Sequence, residues 1–318
     1  MEQIRKNEMG VRSTDGVHTL AGVVYLPEEK PVGILQVIHG MTEYIGRYDR
    51  FMKDMAKAGW VVCGHDHLGH GQTAADPSEW GYIAPENGWD ILCRDAYAFG
   101  CAVRKAYGRE LPYVLMGHSM GSFVARITAA RYVTPEDRLA GLIIMGTGGP
   151  NPAAGLGITL ARLIQRCKGR KHVSKLLYAL VFGGYVKPFK KEKDIYAWLT
   201  NDLSVRDVYR KDPLCTFPFT VSAMGDLIRL TKEANDPTWF DTLPATLPIL
   251  LVSGEDDPVG GMGKGVETVH RKLRKAGKKV TCHVYGGYRH EILNDDCYPT
   301  VAEDIRGFLN QCKGDIVL

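Results

Sequence analysis

No run of this sequence is long and apolar enough to cross a bilayer. The longest, Pro248–Val252 and Gly141–Met145, fall far short of a spanning helix. The opening residues, MEQIRKNEMG, carry charges of both signs and no apolar core, so no secretory signal is expected and the expected location is cytoplasmic. CxxC pairs and metal-finger spacings are also missing. The eight cysteines (Cys63, Cys93, Cys101, Cys167, Cys215, Cys282, Cys297 and Cys312) are scattered, and they read as reduced, mostly buried thiols. Net charge is small, +4 from 40 basic and 36 acidic side chains in 318 residues. With no zinc-finger or RNA-motif spacing, that balance excludes nucleic acid as a partner. Internal repeats and low-complexity tracts are lacking as well. What remains is 45% hydrophobic and 24% charged, with 36 glycines: an enzyme-sized globular chain with many tight turns.

Short β-rich runs alternate with helical patterns. Strands are predicted at Val17–Leu26, Gly33–His39, Trp60–Gly64, Pro112–Gly117, Leu139–Gly146, Leu247–Gly254 and Lys279–Tyr285. Helices are predicted at Arg47–Ala58, Gly88–Tyr107, Ser122–Tyr132, Gly265–Ala276 and Val301–Gln311. Near-continuous apolar strands alternating with helices imply an α/β fold whose mostly parallel sheet is covered on both faces. The alternation breaks once, between Gly146 and Leu247, where no strand pattern occurs. There the periodicity predicts helices at Ile158–Cys167, Val173–Phe182, Asp194–Leu203 and Val221–Ala234. The expected organisation is a core of residues 1–147 and 246–318 with a helical cap, 148–245, over the ligand edge of the sheet.

Gly117-His118-Ser119-Met120-Gly121 matches G-x-S-x-G, and it lies between a predicted strand and a predicted helix. A nucleophile on that turn projects above the sheet, and the following helix turns its positive end toward developing negative charge. Two backbone N–H groups must face the oxyanion. Met120, after the nucleophile, supplies one by position; Met41, in the turn after the early strand GILQVIH, supplies the other. The carboxylate and the base follow in chain order. After LPILLVSG stand Glu255, Asp256 and Asp257; Asp257 is favoured because Pro258 fixes the turn beyond it, with Asp256 and Glu255 as alternatives. After the last strand, His290 stands on a loop before the final helix, as a general base should, whereas His283 is a half-exposed strand residue. His65-Asp66-His67-Leu68-Gly69-His70 resembles a metal site in composition but lacks a binuclear hydrolase's spacing. It reads instead as a rigid loop walling the site. No metal and no cofactor are expected.

Taken together, HGMTEYIGRY, HDHLGHGQT, GHSMG, SGEDDPVG and YGGYRHEILND occur in an order that resembles the monoacylglycerol lipase and lysophospholipase branch of the α/β-hydrolase superfamily. Trp198–Cys215 and Phe217–Met224 are similar to bacterial lysophospholipases of that branch. The resemblance runs from about residue 16 to 312. It implies an eight-stranded sheet, a helical cap between strands six and seven, and the triad Ser119, Asp257 and His290. The chain departs from the family at His67, where Arg is commoner, and at Thr73, where Ser is commoner.

These readings imply a serine ester hydrolase acting on monoacyl lipid esters, a small-molecule substrate, through an acyl-enzyme on Ser119. The same triad could serve an aminopeptidase-like peptidase, a thioesterase or an acyltransferase. A non-catalytic binding protein would be expected to have lost a triad member, and a serine at the elbow excludes epoxide hydrolase and dehalogenase chemistry as first choices. The small net charge is unevenly placed: residues 151–217 hold 13 Lys+Arg against 5 Asp+Glu. That is the pattern of a solvated helix face that keeps an apolar cap soluble, or alternatively of a cap that makes peripheral contact with an anionic lipid surface or steers anionic amphiphiles to the site; the oligomeric state is left open.

Overall fold

The computed structural model describes residues 4–313, so the outermost ends of the expected core, 1–3 and 314–318, lie outside it. Eight strands form one sheet: β1 (Arg5–Arg12), β2 (Thr19–Leu26), β3 (Gly33–Ile38), β4 (Trp60–His65), β5 (Tyr113–His118), β6 (Leu139–Met145), β7 (Ile249–Gly254) and β8 (Val280–Tyr285). Their order is β1-β2-β4-β3-β5-β6-β7-β8. β1–β2 and β2–β4 pair antiparallel, and all other neighbours pair parallel. The sheet is therefore the eight-stranded, mostly parallel one that the resemblance implied.

The strands' alternation sets the two layers. Leu35 and Val37 of β3 face one side, where α1 (Asp49–Lys57) contributes Phe51, Met52 and Met55 and α10 (Tyr298–Cys312) contributes Val301, Ile305 and Phe308. Ile34 and Ile38 face the other, packed with Phe99 of α2 (Gly88–Tyr107), Val124 of α3 (Met120–Arg131) and Val269 of α9 (Lys264–Lys275). Strands buried on both faces read as unbroken apolar runs, which is why β3–β7 are legible from sequence. β1 is not: its pattern, RKNEMGVR, is polar and half-exposed at the sheet edge, and it is held by its ladder to β2. The connecting turn is anchored from α2, where the buried Asp95 accepts from Ser13 Oγ and from the Thr14 N–H, at 2.7 and 2.6 Å.

Between β6 and β7 the chain forms α4 (Ala154–Lys168), α5 (Lys175–Phe182), α6 (Leu203–Lys211), α7 (Val221–Ala234) and α8 (Pro237–Thr242). α7 is the underside of this segment and packs on α2, α3 and α4. The helix expected at Asp194–Leu203 does not form. The Asp194 carboxylate accepts the Tyr196 N–H at 3.0 Å and pairs with Arg206 and Arg210, which closes a turn. Asp202 then caps a new helix by accepting the Ser204 N–H at 2.7 Å. Among the described residues no helix is long and apolar enough to cross a membrane, and Cys63, Cys93, Cys101, Cys167, Cys215, Cys282 and Cys297 are free thiols, with Cys167 exposed.

The glycines of the G-x-S-x-G turn are required by close approach. A Cβ on Gly117 would lie 2.1 Å from the Gly121 carbonyl oxygen, and one on Gly121 would lie 2.1 Å from the Ile38 carbonyl oxygen. Gly121→Ala is expected to cost about 3 kcal/mol, as overpacking against fixed backbone does. Gly307→Ala, at an exposed position of α10 where a Cβ meets nothing within 4 Å, should instead gain about 0.5–1 kcal/mol. Urea unfolding of the two variants checks both signs.

Candidate active site

Ser119 stands between β5 and α3 with φ +54° and ψ −122°, a conformation a non-glycine residue holds only under constraint. Its N–H donates to the Met145 carbonyl at 3.0 Å, and the Ser122 hydroxyl donates to its carbonyl at 2.6 Å. The turn is thus pinned to β6 on one side and to α3 on the other. Met120 is the first residue of α3, where N–H groups have no acceptor within the helix. Met41 follows Gly40, whose N–H donates to Glu43 Oε1 at 2.5 Å. Met41, Ser119 and Met120 all line one cavity.

Asp257 and His290 meet on loops after β7 and β8. His290 Nδ1 lies 2.9 Å from Asp257 Oδ2, and both side chains are buried. The carboxylate can only accept here, so Nδ1 carries the proton and Nε2 is left with a free lone pair. The other Asp257 oxygen accepts the Val259 N–H at 2.8 Å. Gly254 permits this meeting, since a Cβ there would lie 2.1 Å from the Arg289 carbonyl oxygen. Of the three adjacent acids, Asp257 alone bonds to His290: Glu255 is exposed beside the Gly287 N–H, and Asp256 is half-buried with its own N–H on the Tyr288 carbonyl. His283 pairs with Asp304 on the open edge of the sheet.

Residues the motif reading did not single out hold this arrangement in place. The His290 ring sits between those of His118, at 4.7 Å, and Trp198, at 5.2 Å. His118 Nε2 donates to the His290 carbonyl at 3.2 Å, and its Nδ1 lies 3.3 Å from Glu43 Oε1. The Tyr48 hydroxyl donates to the same Glu43 oxygen at 2.8 Å. Arg47 donates to Glu43 at 3.1 Å and to both oxygens of Glu291 at 2.6 and 2.7 Å. Burial disfavours each of these charges, yet the mutual pairing prevails. It lowers Glu43 well below the usual carboxylate range, and it raises Arg47 and His118 above their ordinary values. The available signal was the i,i+4 spacing of Glu43 and Arg47 and the acid directly after His290.

The histidine-rich loop does something else. His65, His67 and His70 are buried, and desolvation lowers His65 to about 3 and His70 to about 4, so they are neutral rings. His70 Nε2 accepts the Thr42 N–H at 3.3 Å, and the Asp66 carboxylate accepts the Ile45 and Gln72 N–H groups, each at 2.8 Å. Among the described residues no group of three or more His, Cys, Asp or Glu side chains is placed to hold a metal. This loop does not wall the cavity as expected, because none of residues 65–73 lines it. It buttresses the turn that does.

The cavity measures about 870 Å³. Ser119, Met120, Phe123 and His290 line it, together with Leu156, Leu160, Leu177, Leu180, Phe182, Leu227 and Ile228 of α4, α5 and α7. Ser119 and the Asp257-paired His290 thus share one cavity with a largely apolar wall.

The family model described as serine aminopeptidase, S33, matches residues 29–296. A monoacylglycerol lipase of Mycolicibacterium smegmatis is 26% identical over 317 residues, spanning 94% of this chain and 98% of that protein. Among solved structures, a thermostable carboxyl esterase from Bacillus coagulans, in complex with glycerol, superposes with a TM-score of 0.91 at 30% identity. That match covers 98% of this chain and all of that one. A lipase in its open form superposes with a TM-score of 0.89 at 27% identity, with the same coverage.

His118 makes the buried cluster pH-dependent. Its folded pKa is raised, so its contribution is fully present below the ordinary value of 6.5 and is lost as pH rises through the folded value. The opposite limb belongs to Glu43, whose folded pKa is lowered. Its contribution is full above the ordinary 4.5 and is lost only as pH falls through the folded value. The stability advantage of the wild type over His118→Phe should therefore be largest between pH 5 and 6.5 and shrink as pH rises beyond it. Urea unfolding across that range measures it; a gap that widens with pH would contradict the assignment.

Proposed function

The chain belongs to the serine aminopeptidase S33 family of α/β hydrolases, an ester hydrolase of its monoacylglycerol lipase branch, and on that premise we propose that it cleaves monoacyl lipid esters of the monoacylglycerol or lysophospholipid type. The observation that carries this reading is the largely apolar cavity that Ser119 and His290 line. A single acyl chain fits a slot walled by leucines, and its ester then lies beside Ser119.

In this reading Ser119 Oγ attacks the ester carbonyl while His290 Nε2 takes its proton, with Asp257 fixing the tautomer. The amides of Met41 and Met120 hold the oxyanion. His290 returns the proton to the leaving alcohol, and water then releases the fatty acid from the acyl-enzyme. Peptidase action on a free N-terminus would call for an unpaired carboxylate near the site. The two glutamates lining the cavity, Glu43 and Glu291, are both engaged by Arg47, which disfavours that alternative. Ser119→Ala should abolish fatty-acid release from monoacylglycerols with an unchanged thermal melt. Undiminished turnover in that variant would sink the mechanism.

Residues 148–245 serve in this proposal as a cap whose outer face meets a lipid surface. The stretch 151–191 contains nine Lys+Arg and no Asp or Glu. The same stretch exposes Leu156, Leu163, Leu176 and Leu180, at 78%, 57%, 56% and 63%. Leu156 and Leu180 also line the cavity, so the apolar patch is continuous with the slot. Basic residues near an anionic leaflet contribute about 1 kcal/mol each. Binding to phosphatidylglycerol-containing vesicles should exceed binding to neutral ones and fall with added salt. Equal binding to both would remove this part of the reading.

A further inference from the structure

The turn that carries Met41 is held in an unfavourable shape by a group from the cap. Thr42 follows Met41 directly and has φ +50°. For a β-branched residue that region is an outlier worth about 1–3 kcal/mol of strain, and it persists only where neighbours over-determine it. The neighbours are specific. The Thr42 N–H donates to His70 Nε2 at 3.3 Å. The Thr42 carbonyl accepts the Tyr209 hydroxyl at 3.0 Å, and the Thr42 hydroxyl lies 2.9 Å from that same phenol oxygen. Tyr209 stands on α6, 167 residues away in sequence. It is only 6% exposed, and its ring lies 5.0 Å from the Arg47 guanidinium carbon. The phenol is thus fixed at both ends, ring on Arg47 and hydroxyl on the Thr42 backbone.

We propose that Tyr209 is a positioning residue for the oxyanion hole: through its hydroxyl the cap holds the Thr42 backbone strained and so aims the Met41 N–H at the reacting oxygen. This rests on the reading of Met41 as an oxyanion donor. Its consequence is that the cap contributes to transition-state stabilisation as well as to the acyl slot. Without the hydroxyl, Thr42 relaxes toward ordinary backbone angles and the Met41 amide turns away. Ground-state binding of the acyl chain, made by the leucine wall, is untouched.

The test is Tyr209→Phe assayed on a medium-chain monoacylglycerol. The expected result is a kcat lower by about 10- to 100-fold, the scale of a displaced oxyanion donor, with KM within about twofold. An arylboronic acid adds to the serine and places a boronate oxygen where the oxyanion forms, so its inhibition constant should rise by a similar factor. Adding Thr42→Gly, which admits positive φ without strain, should recover at least about fivefold of the lost kcat. A merely structural tyrosine would move the melting temperature and leave the kcat-to-KM split and the rescue unseen. Raised KM with unchanged kcat, or unaltered boronate affinity, would overturn the proposal. Normal turnover by Tyr209→Phe in a protein that Ser119→Ala inactivates would overturn it alone; turnover by Ser119→Ala would overturn the underlying mechanism instead.

Discussion

The site depends on one buried ion cluster. Arg47 lies between Glu43 and Glu291, and His118 faces Glu43 from the other side. Each of these groups is paired within the cluster, which is the condition for burying them at all. Removing one partner of such a cluster costs about 3–5 kcal/mol, because its counter-charge is then stranded in a low dielectric. The cluster is also the mechanical link between loops that share no ladder. Glu43 takes the Gly40 N–H beside Met41, Glu291 follows His290 in sequence, and His118 precedes Ser119 while holding the His290 carbonyl. The proposed oxyanion donor, nucleophile and base are thus referenced to one guanidinium.

Around that point the fold supplies rigid approach rather than further charge. Glycines at 117, 121 and 254 let backbone pass where any Cβ would collide with a carbonyl. The first two let α3 seat against β3 and β5, and the third brings the Asp257 and His290 loops together. Among the neutral histidine rings behind the Met41 turn, His70 accepts the Thr42 N–H and His39 accepts the His67 N–H. Above, the helical segment between β6 and β7 provides most of the apolar wall. Its cavity side is leucine-rich, and its exposed surface carries basic side chains beside Leu156, Leu163, Leu176 and Leu180.

Much of this was legible in the sequence because the relevant signals are local. Strands buried on both faces show as apolar runs, and α7 was expected with the bounds it has, Val221–Ala234. The G-x-S-x-G turn, the acid loop and the histidine loop announce themselves by residue type and order, and the structure brings Asp257 to His290 and lines one cavity with Ser119, His290, Met41 and Met120. What was not legible is what depends on distant pairing. β1 is a polar edge strand defined by its partner, so no periodicity marks it. The segment after Asp194 has helical composition, but Arg206 and Arg210 draw its carboxylate into a turn. The roles of Arg47, His118 and Tyr209 follow from contacts across the fold, at separations of 244, 172 and 167 residues. The histidine-rich loop misled by composition: its rings buttress the site from behind.

The central claim is that an acyl group passes through Ser119 in a largely apolar cavity. Acid quench of the enzyme within milliseconds of mixing with a saturating monoacylglycerol, followed by intact-mass and peptide analysis, measures it directly. The account predicts a mass increase equal to the acyl group less a proton, on the peptide containing Ser119. Turnover with no adduct, or with the adduct on another residue, would contradict it.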